Sequence, residues 1–211
     1  MPPPKWHNRL KALMEKYGIL YVADEVQTGF GRTGKMFAIE HWGVEPDIVA
    51  LAKGIASGMP IGAMVARKSL MTWPPGAHSN TFGGNPVCSA AALATIKLVE
   101  GGFMENAARV GQRMMDRLRE MMDGHASMGD VRGKGLMIGI ELVKDKVTKE
   151  PAPEMRNQVI QRAFEKGLLL LGCGPNTVRF MPALNIPQDI ADEGLATFDD
   201  TLTEVEKGMG L

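Results

Sequence analysis

The sequence contains few cysteines, no net charge and no metal-ligand spacing. Its two cysteines, Cys88 and Cys173, lie far apart in apolar or glycine-rich surroundings. This excludes a disulfide framework, so we expect free thiols in a reducing compartment. The 24 basic residues balance 24 acidic ones, without a basic run or basic–aromatic interleaving, which argues against a nucleic-acid partner. The four histidines show no metal spacing, and the expected partner is a small molecule.

Long apolar runs are also missing. No segment approaches the roughly 20 consecutive apolar residues of a membrane-spanning helix. The opening residues, MPPPKWHN, lack the apolar core of a signal peptide. We therefore expect a cytoplasmic protein without a membrane partner.

Two short apolar runs each end at a charged residue. Residues 19–23 stop at Asp24, and residues 48–52 stop at Lys53. A helix predicted over residues 6–17, followed by a glycine and a buried strand, is typical of a parallel sheet in an α/β fold. Because ligands of such sheets bind outside the carboxyl ends of the strands, Asp24 and Lys53 are expected to face one crevice.

The remaining pattern predicts two α/β regions, which 45% hydrophobic residues are enough to pack. A third strand and two helices complete the first region, and a change in composition near Met128 begins a smaller second unit. Within that unit, residues 131–135 are rich in turn-forming residues. Further elements are predicted as strands over residues 61–66, 136–143, 168–171 and 177–181, and as helices over residues 87–100, 103–122, 154–166 and 189–207.

Three motifs carry a resemblance to a known family. They are ADEVQTGFGRTG from residue 23, DIVALAKGIASGMPIGAM from residue 47 and HSNTFGGNP from residue 78. In this order they resemble the class III pyridoxal-phosphate-dependent aminotransferases of fold type I. The resemblance implies an α/β fold with a truncated cofactor-binding large domain over residues 1–104, containing a mainly parallel sheet, and a small C-terminal α/β domain over residues 105–211. It covers the whole chain but only the carboxyl-terminal half of such an enzyme.

The resemblance assigns the two strand-end residues to the cofactor, pyridoxal 5'-phosphate. Lys53 would form a Schiff base with the aldehyde and shuttle protons, as its position between an apolar run and the glycine-containing GIASG segment suits. Asp24 would pair with the protonated pyridine nitrogen and keep the ring an electron sink. From the residues alone, Lys53 could be a surface lysine and Asp24 a cap on a neighbouring turn.

The resemblance also assigns residues around the ring and phosphate. Val26 and Gln27 would lie against the ring face and near the ring hydroxyl, whereas Glu25 is interpreted as structural. Thr81 would bind the cofactor phosphate of a neighbouring subunit, which implies a homodimer with shared active sites. Spacing alone favours an ordinary turn threonine at this position, and the resemblance reverses that preference.

Arg179, in NTVRFMPAL, resembles the family arginine that binds a substrate carboxylate, a task suited to a planar bidentate donor. The alternative is a strand arginine in a surface ion pair. The family usually has a second proline where this chain has Ala183, a departure that is expected to alter the neighbouring loop without touching the guanidinium.

The predicted function is therefore transamination between an amino acid and a 2-oxo acid. The family's substrates include ω-amino acids such as 4-aminobutyrate, ornithine and acetylornithine. Two alternatives stay open: an amino-acid racemase or epimerase that uses the same Lys53 and Asp24, and a truncated or split-enzyme half that needs the missing N-terminal half.

Overall fold

The computed structural model describes all 211 residues, which form two compact units, Met1–Glu105 and Asn106–Leu211. We call these the first and second units. Both combine helices with a β-sheet, as the α/β prediction requires. The assignment of the units to a cofactor-binding domain and a small domain remains a prediction.

The first unit contains a three-stranded sheet in the order β1-β2-β3. Strands β1 and β2 are parallel, and β3 is antiparallel to β2. The expectation of a mainly parallel sheet is therefore wrong for β3. Parallel pairing needs a crossover of about a dozen residues, usually a helix, and residues 52–62 contain only a short 3-10 turn. The elements are α1 (Trp6–Lys16), β1 (Val22–Asp24), β2 (Ile48–Leu51), β3 (Ala63–Ala66) and α2 (Pro86–Leu98).

Strand β1 is shorter and less buried than predicted. It begins at Val22, whereas Ile19 and Leu20 precede it and are exposed. Tyr21 and Ala23 point inwards, so the strand is buried on one face only. Tyr21 packs with Ile39 and Val44 against apolar residues of α1.

The second unit is built on a four-stranded antiparallel sheet in the order β4-β5-β7-β6. One cluster of buried apolar side chains joins this sheet to three helices. The elements are α3 (Met104–Gly124, beginning at the end of the first unit), β4 (Met128–Lys134), β5 (Met137–Leu142), α4 (Pro153–Glu165), β6 (Leu171–Cys173), β7 (Thr177–Phe180) and α5 (Gln188–Met209).

Two strands of this sheet differ from the sequence-based expectation. Residues 131–135, which are rich in turn-forming residues, lie mostly in β4, a strand that the pattern does not predict, because pairing with β5 and burial of Met128 and Val131 outweigh the glycines. The strand predicted over residues 168–171 begins only at Leu171, because pairing with β7 starts there. Leu170 is still buried in the core.

A π-helical turn, Val99–Phe103, joins α2 to α3, and Gly102 within it has a φ of 136°. The run Pro86–Gly124 is long and apolar enough to satisfy the length and composition of a membrane span. Those criteria do not separate a span from a core helix, and α3 buries Val110, Leu118 and other residues in the core of the second unit.

Candidate functional site

The two predicted strand-end residues leave the same edge of the parallel pair. In the register of β1 and β2, Asp24 pairs with Ala50. Strand β2 ends at Leu51, and Lys53 begins a 3-10 turn, Lys53–Ala56. Asp24 and Lys53 thus both lie at the carboxyl ends of adjacent parallel strands, where α/β sheets bind ligands.

The backbone around Lys53 is strained. Lys53, Ser57 and Phe30 adopt positive φ angles of 44°, 48° and 55°, which non-glycine residues rarely do. Such residues each cost of the order of 1–3 kcal/mol and cluster at functional sites. Thr95 of α2 supports this turn, since its hydroxyl lies 3.2 Å from that of Ser57. The side chain of Lys53 is exposed.

Asp24 is anchored through one oxygen. Its Oδ1 accepts a hydrogen bond from the backbone N–H of Val26 at 3.0 Å, and the side chain is exposed. The predicted turn-capping role is therefore present, and Oδ2 can still face a ligand cation. An exposed carboxylate and an exposed amine at one sheet edge fit the ring nitrogen and aldehyde of pyridoxal phosphate.

Glu25 is a buried carboxylate with three hydrogen-bond donors. It is 2% exposed. Its Oε1 accepts from the N–H of Ile39 at 2.8 Å, and its Oε2 accepts from the N–H of Ala38 at 3.0 Å and from the Thr28 hydroxyl. Its backbone N–H also donates to Ala50 of β2 at 3.0 Å.

The loop after β1 packs closely because it contains glycine. A Cβ at Gly29 would lie 2.8 Å from the Glu25 carbonyl oxygen, and one at Gly31, whose φ is 83°, would lie 3.0 Å from Val99. Arg32 lies within this loop, and burial lowers the pKa of its guanidinium. Gln27 is half-buried in the same loop.

Thr81 makes no hydrogen bond with the two strand-end residues or with Glu25. It lies in an exposed loop before α2. The side chain of Asn80 accepts from the N–H groups of Phe82 and Gly83 at 2.9 and 3.0 Å, and Asn85 caps α2 by accepting from the N–H of Cys88 at 3.0 Å. A role for Thr81 across a dimer remains a prediction.

Arg179 lies in the second unit, on β7, where it pairs with Gly139 and Leu171. It makes none of the ion pairs in the structure, so the predicted alternative of a surface ion pair is not found. Its Nε is buried without a hydrogen-bond partner. Arg179 is the sole charged residue lining a cavity of 280 Å³, whose walls include Leu170 and Ile190. A buried donor without a partner is costly, so this arrangement fits an anionic ligand.

Sequence reasoning missed a second polar cluster, within the second unit. The buried imidazole of His125 lies 2.7 Å from Glu206 and 2.6 Å from Asp199. Glu206 also accepts from the N–H and hydroxyl of Ser127. No signal in the sequence links residues this far apart. No group of three or more histidine, cysteine or acidic residues in the chain is placed to hold a metal ion.

Known proteins match nearly the whole length of this chain. A sequence model of the family described as aminotransferase class-III matches residues 1–202. The leucine/methionine racemase of Thermococcus litoralis is 45% identical, over 99% of this chain and 47% of its own length. The acetylornithine aminotransferase of Caldanaerobacter subterraneus subsp. tengcongensis is 39% identical, over 96% of this chain and 49% of its own length.

A solved structure gives the same result. The crystal structure of a transaminase from the marine bacterium Virgibacillus superposes with a TM-score of 0.95 and 32% identity, over 99% of this chain and 50% of that one. The chain thus spans about half the length of the relatives that it matches.

Proposed function

This chain belongs to the class III aminotransferases, and from that premise we propose that it is the part of a pyridoxal-phosphate-dependent aminotransferase that anchors the cofactor and binds a substrate carboxylate. The observation that carries the proposal is that Asp24 and Lys53 lie at the carboxyl ends of two adjacent parallel strands, β1 and β2. A relative that is an acetylornithine aminotransferase supports an ω-amino acid as amino donor, with a 2-oxo acid as acceptor.

Each predicted site residue has a task in this proposal. When bound, the cofactor supplies an electron sink for the carbon that loses a proton. Lys53 would hold the aldehyde through its Nζ and then move the proton at the substrate carbon that bears the amino group. Asp24 would face the ring nitrogen, where a carboxylate keeps a proton on that nitrogen. Val26 and Gln27 would orient the ring.

The phosphate and the substrate need donors elsewhere in the chain. Thr81 is exposed in its loop, which suits contact with the phosphate in a neighbouring subunit of a homodimer. The unpartnered Nε of Arg179 suits a substrate carboxylate. The free thiols Cys88 and Cys173 suit a cytoplasmic enzyme.

Two alternatives keep specific support. A racemase or epimerase is supported by the 45% identity to a leucine/methionine racemase. Both reactions would begin with removal of a proton by Lys53, and racemisation also needs a proton delivered to the opposite face of the α-carbon, so Lys53 and Asp24 alone do not separate the two reactions. A half-enzyme that needs a second polypeptide is supported by the relatives' being about twice as long.

Cofactor attachment is the first test. We would add stoichiometric pyridoxal phosphate, reduce with borohydride and map the modified lysine by mass spectrometry. We expect one adduct, at Lys53, which is lost in Lys53→Ala. The matched control is Lys68→Ala, because Lys68 is also exposed and also begins a 3-10 turn after a strand. Scattered labelling that persists in Lys53→Ala would contradict the proposal.

Product analysis then separates the reactions. The chain loaded with cofactor is given N-acetyl-L-ornithine or L-leucine, each with and without a 2-oxo acid. Amino-group transfer that requires the 2-oxo acid supports transamination, and the D-enantiomer formed without it supports racemisation. An adduct at Lys53 with neither product supports the half-enzyme.

A further inference from the structure

Glu25 connects three parts of the first unit that meet at the site. Its backbone N–H bonds to Ala50 of β2, three residues before Lys53. Its carboxylate accepts from Thr28, next to Gln27, and from the first amides of the 3-10 turn Ala38–Trp42. Side chain and backbone together therefore tie β2 to both ends of the loop over residues 26–38.

Because the carboxylate of Glu25 is buried, its hydrogen bonds matter for the stability of the loop. A buried carboxylate is costly unless its oxygens are hydrogen-bonded. Glu25 meets this requirement only while the loop keeps its present fold, since all three donors to its carboxylate belong to that loop or its end. The carboxylate and the loop therefore stabilise each other's position.

The loop is held at a second point, close to Lys53. Phe30 is buried with a φ of 55° and packs in one cluster with Leu51 and Ile55. A Cβ at Gly54 would lie 3.5 Å from the Cβ of Phe30. Gln27 and Thr28 thus lie between the Glu25 anchor and a strained aromatic anchor beside the lysine.

We propose that Glu25 is a positioning residue of the cofactor bed: its buried carboxylate fixes the loop that presents Val26 and Gln27 to the ring held between Asp24 and Lys53. The inference rests on the proposed function, because it takes Val26 and Gln27 as ring contacts. Glu25 itself touches neither cofactor nor substrate.

The test compares Glu25→Gln with Glu40→Gln in the full chain. The matched control is apt because Glu40 caps the same 3-10 turn, accepting from the N–H of Phe37 at 2.7 Å, but is exposed. The amide hydrogen-exchange rates of Ala38 and Ile39 measure how firmly the end of the loop is held. The visible absorbance of bound pyridoxal phosphate reports on the cofactor site. It gives both the position of the absorbance band and, by titration, the dissociation constant of the cofactor.

We expect Glu25→Gln to keep its far-UV circular dichroism. Exchange at residues 38 and 39 should rise by about tenfold or more, because hydrogen bonds to a charged acceptor are lost. The dissociation constant for pyridoxal phosphate should rise by a similar factor and the absorbance band should shift. Glu40→Gln should stay within about twofold of the wild type in both readouts.

Three results would overturn the inference. Unchanged exchange at residues 38 and 39 in Glu25→Gln would show that the carboxylate does not fix the loop. A loosened loop with unchanged band and dissociation constant would leave Glu25 a merely structural role. Failure of the wild-type chain to take up cofactor at Lys53 would overturn the proposed function and the inference together, which distinguishes it from the other two.

Discussion

The two units of the chain bury their apolar side chains to very different extents. In the second unit, 24 buried apolar residues form one cluster between the sheet and the helices. In the first unit, the clusters contain five and three buried residues. Helix α1 has no buried residue, and three of the four residues of β3 are exposed.

The larger buried core lies in the second unit, whereas Asp24 and Lys53 lie in the first. The second unit closes a core from its own elements, as a domain that folds by itself does. The first unit holds Asp24 and Lys53 but leaves apolar residues such as Ile19 and Val65 exposed, as surfaces that pack against further chain do. We therefore expect the first unit to be the less stable. All three tryptophans and both tyrosines lie in it, so intrinsic fluorescence reports on the first unit alone, whereas circular dichroism reports on both.

The largest effect should come from the core of the second unit. Phe198 is fully buried and packs edge-to-face on Phe180, with ring centroids 5.3 Å apart. Phe198→Ala should lower the free energy of unfolding of this unit by about 3–5 kcal/mol. Ile19→Ala, at a residue 55% exposed in the first unit, should cost less than about 0.5 kcal/mol. Urea unfolding followed by circular dichroism and fluorescence checks both, and equal losses would refute the comparison.

The His125 cluster should make the stability of the second unit depend on pH. Burial disfavours the imidazolium, but hydrogen bonds to Asp199 and Glu206 outweigh it, so the pKa of His125 is raised. Burial likewise opposes the charge of Glu206, but hydrogen bonds from Ser127 and His125 outweigh it and lower the pKa of Glu206.

The directions of the two pKa shifts define the pH range in which His125 and Glu206 stabilise the second unit. The contribution of His125 is complete below its unfolded pKa of about 6.5 and is lost as the pH rises through its raised folded value. That of Glu206 is complete above about 4.3 and is lost as the pH falls through its lowered value. At pH 6, His125→Asn should therefore cost about 1.5–3 kcal/mol of unfolding free energy. The cost should shrink towards pH 9 in urea unfolding followed by circular dichroism, and a pH-independent cost would contradict the charged pair.

The sequence alone predicts the strand-end positions of Asp24 and Lys53 better than it predicts the sheet of the first unit. Asp24 and Lys53 could be placed at strand ends because each follows a short apolar run, and such local signals survive in the structure. The direction of β3 and the existence of β4 depend on pairing with other strands, which no local pattern contains. The anchoring of Glu25 by Ala38 and Ile39 is equally non-local, since it depends on how the intervening loop folds.

A close backbone approach in the second unit gives a smaller effect. A Cβ at Gly111 of α3 would lie 2.0 Å from the Gly135 carbonyl oxygen, in the turn between β4 and β5. Gly111→Ala should therefore force the helix away from the turn and cost about 1–3 kcal/mol. Gly124→Ala, where a Cβ meets nothing within 4 Å, is the control and should change stability by less than about 1 kcal/mol. Similar results for both would mean that the contact is not tight.

The last comparison makes the same substitution, valine to threonine, once in each unit, and its smallest effect is expected in the first unit. Val65→Thr keeps the shape of a residue that is 55% exposed on β3, so it should change the stability of the first unit by less than about 0.5 kcal/mol. The same change at Val159, fully buried in α4, places a hydroxyl in the core and should cost about 1–3 kcal/mol. Fluorescence follows the first variant and circular dichroism the second. If Val65→Thr proved as costly as Val159→Thr, the face of β3 would be covered in solution, and the first unit would be more complete than its burial indicates. A silent Val65→Thr that also lowers light scattering would instead show that this face makes contacts between chains, as exposed apolar faces commonly do.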